Sequence, residues 1–242
     1  MTSRLQRNDP ADAVAPDDGR QPTAKAPAGD VVPLGERPGA AQPTPLPPPE
    51  VRAALRRVIE QLDVKLGASR QVMLTVTGTD LGDGATTIAW WLACLLASSG
   101  AGNLLYVDAS LQADPGPGGV TELRFAQAAQ AGDDLTRLVR PTPVAGVASL
   151  ALRSVTSGTR PLHAAELVGA LTKLRAHHHW IIVDAAPPAD SPVSVLLAQA
   201  SDGVLLVLEA SRTDRQQAQA TVDLLVRSGA QMIGAVLNKA RA

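Results

Sequence analysis

A doubly wound α/β domain, with a mainly parallel sheet and helices on both faces, is the fold class this 242-residue sequence predicts. Three observations predict it. Short, continuous apolar runs such as "QVMLTV" and "WIIVDAAPP" read as strands buried on both faces, which is how parallel strands sit. Segments of helical period separate these runs, so strand and helix alternate along the chain. Right-handed crossovers then place the glycine-rich stretch "GTDLGDGATT" (78–87) and two strand-end aspartates at the carboxyl edge of the sheet, where such folds bind ligands.

The elements follow in order. Residues 1–49 hold 11 of the 19 prolines and end in "QPTPLPPPE". Such a segment buries too little apolar surface to offset its ordering entropy, so it is expected to be disordered, with a stiff final proline run. A folded domain is expected over 50–242. Apolar residues at 51, 55, 58, 59 and 62 predict an amphipathic helix ended by Gly67. Strand 71–77, the glycine loop and helix 86–98 come next. A strand is predicted at 102–108 and helices over 118–132 and 133–140. Strand 146–152, helix 161–178 and strand 180–188 follow, the last running into a proline turn. Helix 190–200, strand 202–210, helix 214–229 and a last strand within 230–240 complete the domain.

Bulk properties exclude several classes. The formal net charge is −1 with signs mixed, so no basic face for nucleic acid is expected. One cysteine, Cys94, excludes a disulfide framework and fits a reducing compartment. The first residues, "MTSRLQRNDPADAV", lack the apolar core of a secretory signal. The longest apolar run, Ile88 to Ala97, has ten residues, against about 20 needed to span a bilayer. A cytoplasmic protein is expected. "HHHW" (177–180) reads as a solvated helix end, because three successive helical histidines point about 100° apart and cannot converge on one metal. Trp90, Trp91 and Cys94 read as core, and Glu209 and Arg212 as a solvated loop.

The glycine loop carries the chemistry. In a P-loop, backbone N–H groups at a helix N-terminus cradle phosphate, a lysine contacts the outer phosphates, and a Ser/Thr hydroxyl binds Mg²⁺. Gly82, Gly84, Thr86 and Thr87 match this pattern, but Ala85 stands where the lysine belongs. Asp108 and Asp184 end two apolar strands, as metal-associated acids do in such folds.

With those residues in place, the chain resembles the bacterial tyrosine kinases (BY-kinases) of capsule and exopolysaccharide systems, within the Min- and Par-type P-loop ATPases. The likeness runs through Leu81-Gly82-Asp83-Gly84-Ala85-Thr86-Thr87, "LLYVD", Asp184-Ala185-Ala186-Pro187-Pro188, "DGVLLVL" and Gly234-Ala235-Val236-Leu237-Asn238, over about residues 50–240. The resemblance implies an ATP or ADP site with Mg²⁺. Nucleotide would be held by Gly82, Asp83, Gly84, Ala85, Thr86, Thr87 and Asn238, and metal by Thr86, Asp108 and Asp184. If the chain is active, Asp108 and Asp184 are the catalytic candidates. It also implies a membrane-bound polysaccharide chain-length or co-polymerase partner, recruitment to the inner face of the membrane, and homo-oligomerisation through an arginine-bearing helix matched in part by Arg52, Arg56 and Arg57.

The departures imply lost catalysis. Ala85 removes a charge-assisted phosphate contact worth about 1.5–3 kcal/mol, roughly tenfold to a hundredfold in binding. Asp80 stands where Par-type proteins carry an extra lysine. The kinases' D-x-D-x-R motif is reduced to Asp108-Ala109-Ser110-Leu111-Gln112, and Tyr106 is the only tyrosine, so the family's tyrosine tail has no counterpart. The expected function is a kinase-like but catalytically degenerate regulator of exopolysaccharide synthesis and export. Two alternatives stand beside it: an ATPase or tyrosine kinase using a replacement cation, and a Min/Par-like spatial regulator.

Overall fold

The computed structural model describes residues 47–67, 71–110, 134–152 and 164–239. The predicted segment 1–49 lies outside them apart from its last three residues, as does the predicted helix 118–132. Helix α1 spans Pro49–Leu66 and starts with proline at its first position, where the missing N–H costs nothing. It stops at Gly67, whose φ of 82° suits glycine. Leu55 and Leu62 are its buried positions, and Val51, Val58 and Ile59 pack beside them.

Seven strands form one sheet: β1 (Val72–Gly78), β2 (Leu104–Ala109), β3 (Arg140–Pro141), β4 (Val147–Ala151), β5 (Trp180–Ala185), β6 (Gly203–Glu209) and β7 (Met232–Asn238). Their spatial order is β3-β4-β2-β5-β1-β6-β7. Every neighbouring pair is parallel except β3 with β4. The predicted strands are all present within a few residues. The two-residue β3 was not predicted, since Arg140 falls at the end of the helix expected over 133–140; Pro141 is accommodated because β3 lies at the sheet edge.

Helix α2 (Ala85–Ser98) packs with α1 on one face of the sheet. Eight of its 14 residues are buried, because it lies between sheet and α1 and has no wide solvent face. Helices α3 (Ala164–Arg175) and α4 (Pro192–Ala200) cover the other face, joined by α5 (Arg215–Arg227) through Leu225 and Ala198. The α/β fold with helices on both faces is therefore as the sequence predicts. One element is corrected: over 134–140, the described part of "DDLTRLVR", the helix is only a 3-10 turn, Leu135–Leu138, with Leu135 its one buried residue. Asp134 caps it by accepting from Thr136 N at 3.0 Å and Thr136 Oγ1 at 2.6 Å, and Arg140 then enters β3.

The edge of the sheet away from the glycine loop is pinned by one ion pair. Asp202, just before β6, accepts from Met73 N at 2.8 Å and from Arg175 Nη2 at 2.8 Å. The same Arg175 nitrogen reaches Gln71 O at 2.7 Å. The end of α3, the start of β1 and the start of β6 are thereby fixed to each other. Among the described residues no helix is long and apolar enough to cross a membrane.

Candidate functional site

β1 lies inside the sheet, between β5 and β6, and delivers Gly78 to its carboxyl edge. A Cβ at Gly78 would meet Asp80 O at 3.0 Å and Asp83 Cβ at 3.2 Å, so glycine lets the loop fold back at once. Asp83 organises that return. It is 1% exposed, and its Oδ2 accepts from Thr79 N at 2.9 Å, Thr79 Oγ1 at 2.6 Å and Asp80 N at 2.9 Å. A buried carboxylate is tolerated only when so satisfied. Gly84 then takes φ 91° as the N-cap of α2.

Two further strand ends clamp the loop. Asn238, ending β7, donates from Nδ2 to Asp83 O at 2.8 Å. Arg212, after β6, donates to Leu81 O and approaches Asp83 Oδ1 at 3.3 Å, with Asp80 at 3.8 Å and Glu209 at 3.7 Å. Arg212 and Glu209 are thus structural partners of the loop, which corrects the expectation of a plain solvated segment. Lys239 also reaches in, with Nζ 3.3 Å from Gly82 O and 3.1 Å from Glu209 Oε2.

These residues wall a cavity of about 450 Å³. Gly82, Asp83, Gly84, Ala85, Thr86, Thr87 and Asn238 all line it, together with Trp91, Ser110, Ala185, Ala186, Pro187 and Lys239. The N-terminus of α2 opens onto this space with no side-chain cap and no acidic residue in its first turn, leaving its dipole and N–H groups directed at the cavity. This arrangement fits a phosphate group.

Asp108 and Asp184 sit side by side in the β2–β5 register, next to the cavity but not in its wall. Asp184 is fully buried and accepts from the Tyr106 hydroxyl at 2.9 Å. Tyr106 in turn stands edge-on to Trp90, with ring centroids 5.2 Å apart and planes at 88°. Asp108 accepts from Ser110 N at 3.1 Å and Ser110 Oγ at 2.8 Å, so Ser110 rather than Asp108 meets the cavity. Thr77 Oγ1 donates to Ala186 O at 2.8 Å and sets the turn that brings Ala185 to Pro187 to the wall. Among the described residues no three His, Cys, Asp or Glu side chains gather as a metal cluster. Of the predicted metal ligands, Thr86 lines the cavity, whereas Asp108 and Asp184 stand behind its wall, where they could meet Mg²⁺ through its retained waters rather than directly.

Reasoning from sequence missed Trp91, Ser110 and Lys239 as wall residues. Trp91 had a signal: it lies four residues after Thr87, on the same helix face. Lys239 had none, because its approach depends on the strand order. Cys94 lies in the core, and burial pushes its thiol up to about 11. The histidine run follows α3 rather than ending it. His178 is partly buried, and desolvation, then the neighbouring His177 charge, hold it below its ordinary range.

No protein-family model and no curated protein matches the chain. Solved structures do match it in fold. The kinase domain of the Escherichia coli tyrosine kinase ETK aligns with a TM-score of 0.62 at 19% identity, over 79% of this chain and 78% of that one. The VpsO kinase domain aligns with a TM-score of 0.62 at 22% identity, over 79% and 96%. Cobyrinic acid a,c-diamide synthase from Mycobacterium smegmatis, solved with an ATP analogue and magnesium, aligns with a TM-score of 0.54 at 20% identity, over 69% and 74%. The chain shares with these structures an α/β fold built on a mainly parallel sheet.

Proposed function

We propose that this chain is a BY-kinase-like P-loop domain that holds Mg-nucleotide weakly and has lost phosphoryl transfer. It would regulate polysaccharide export by docking on a membrane-bound co-polymerase. The observation that carries the reading is the cavity at the N-terminus of α2. Its glycine loop is intact and its helix end uncapped, yet Ala85 occupies the wall position of the phosphate-contacting lysine. One of the similar folds is the kinase domain of a tyrosine kinase, a second is a kinase domain, and a third was solved with an ATP analogue and magnesium.

In this reading the N–H groups from Gly82 to Thr87 hold phosphate. Thr86, with Asp108 and Asp184 behind it, would hold Mg²⁺, which supplies charge neutralisation on the phosphates when bound. The family resemblance puts Asn238 near adenine, and Asn238 lines this cavity. Binding survives because backbone groups supply much of it. Transfer does not, because charge developing in the transition state meets no cation at position 85.

Phosphate release and protein phosphorylation at saturating Mg-ATP test this. The expected result is no turnover, either from the chain alone or with the cytoplasmic part of a co-polymerase present. Turnover near 1 s⁻¹, the low end for kinases, would establish an active enzyme instead.

A further inference from the structure

We propose that Lys239 is the phosphate-contacting cation of this site, standing in for the lysine that position 85 lacks. The inference rests on the reading that the cavity takes nucleotide.

The backbone makes the first argument. Among the described residues Lys239 is the one non-glycine with positive φ, at 55°. Such a conformation costs on the order of 1 kcal/mol or more and persists where neighbours enforce it. Here Asn238 enforces it: its Oδ1 accepts from Lys239 N at 2.9 Å, while its carbonyl accepts from Ala210 N at 3.0 Å. The turn places Nζ of Lys239 3.3 Å from Gly82 O, in the cavity wall.

The charge inventory makes the second. Among the described residues that line this cavity, Lys239 is the only lysine or arginine. Arg212 is near but engaged by Leu81 O, Asp83, Asp80 and Glu209, and lies outside the wall. Lys239 has lighter ties, to Gly82 O and to Glu209, and its side chain is 53% exposed. A flexible four-carbon arm bearing a compact ammonium can leave a carbonyl for a phosphate oxygen with little rearrangement. Glu209, 12% exposed, then serves as the resting counter-ion. The ligand class is a nucleoside di- or triphosphate, bound by its charged end.

The test is calorimetric titration of the full chain with Mg-ADP and Mg-ATP, for wild type, Lys239→Gln, Ala85→Lys and the double variant. Thermal melts establish that each folds. Lys239→Gln should weaken both nucleotides at least tenfold, the scale of a lost charge-assisted contact. Ala85→Lys should restore binding in the Lys239→Gln background, since it returns a cation from the other side of the cavity. Lys239→Gln binding within twofold of wild type overturns this inference and leaves the nucleotide reading standing. Failure of Ala85→Lys to rescue, although it strengthens wild type, also overturns it by assigning Lys239 to loop shape. No binding by wild type at millimolar Mg-ATP overturns the nucleotide reading, and this inference with it.

Discussion

At the scale of single residues, Asp83 explains how the loop holds its shape. In a loop of this type the backbone N–H groups must point somewhere, and three donors around Thr79 and Asp80 point at one buried carboxylate. Asp83→Ala would leave the buried Thr79 N–H and hydroxyl without their acceptor and remove one of the partners of Arg212. A loss of about 2–4 kcal/mol is expected from the stranded buried donors, measured as a shift in the urea unfolding midpoint with unchanged slope. A loss under about 0.5 kcal/mol, the range of an ordinary surface substitution, would show that the network does not hold the loop. The sequence showed Asp83 only as a loop acid beside phosphate. Its inward direction depends on the positive φ of Gly82 and Gly84, which composition and spacing do not reveal.

At the scale of elements, the strands and long helices were legible because periodicity is a local signal. β1, β5 and β6 are runs of buried residues flanked by turn signals, and α1 has a clear apolar stripe. The 3-10 turn, β3 and the end of α3 were not legible. Leu135–Leu138 sits in a helical pattern, but the chain must turn into the edge pair β3–β4 and leaves room for only one 3-10 turn. α3 ends at Arg175 rather than at the expected 178, since His179 N bonds across to Asn103 O at 2.8 Å and leads into β5. That junction carries a pH dependence. His178 has its Nδ1 buried without a hydrogen-bond partner, and burial lowers its pKa. The unfolded chain therefore binds its proton more readily than the folded one. Stability should be unaffected by this group above its unfolded pKa, about 6.5, and should fall as pH drops below it. Melting temperatures of wild type and His178→Asn between pH 7.5 and 5 check this. The variant should lose part of the acid-side decline, and identical slopes would contradict the assignment.

At the scale of the whole molecule, the order β3-β4-β2-β5-β1-β6-β7 assembles the site from residues far apart in the chain. It places β1 between β5 and β6, so the glycine loop meets Ala185–Pro187 on one side and Arg212 on the other, with Asn238 and Lys239 from β7 behind. The glycine loop and the two aspartates could be found from sequence because each ends an apolar run. Arg212 and Lys239 could not be assigned roles, because nothing local says which strand end lies beside the loop. The same topology leaves position 85 in the cavity wall without a cation, which is the central claim: a phosphate cradle whose loop lacks its own lysine.

The most direct measurement is the Mg-ATP dissociation constant of the full chain beside that of Ala85→Lys, by calorimetry. The account predicts weak binding by wild type and a tenfold to hundredfold gain in the variant, the range of one charge-assisted phosphate contact. Binding by the variant no tighter than wild type would contradict it, because position 85 would then not face phosphate.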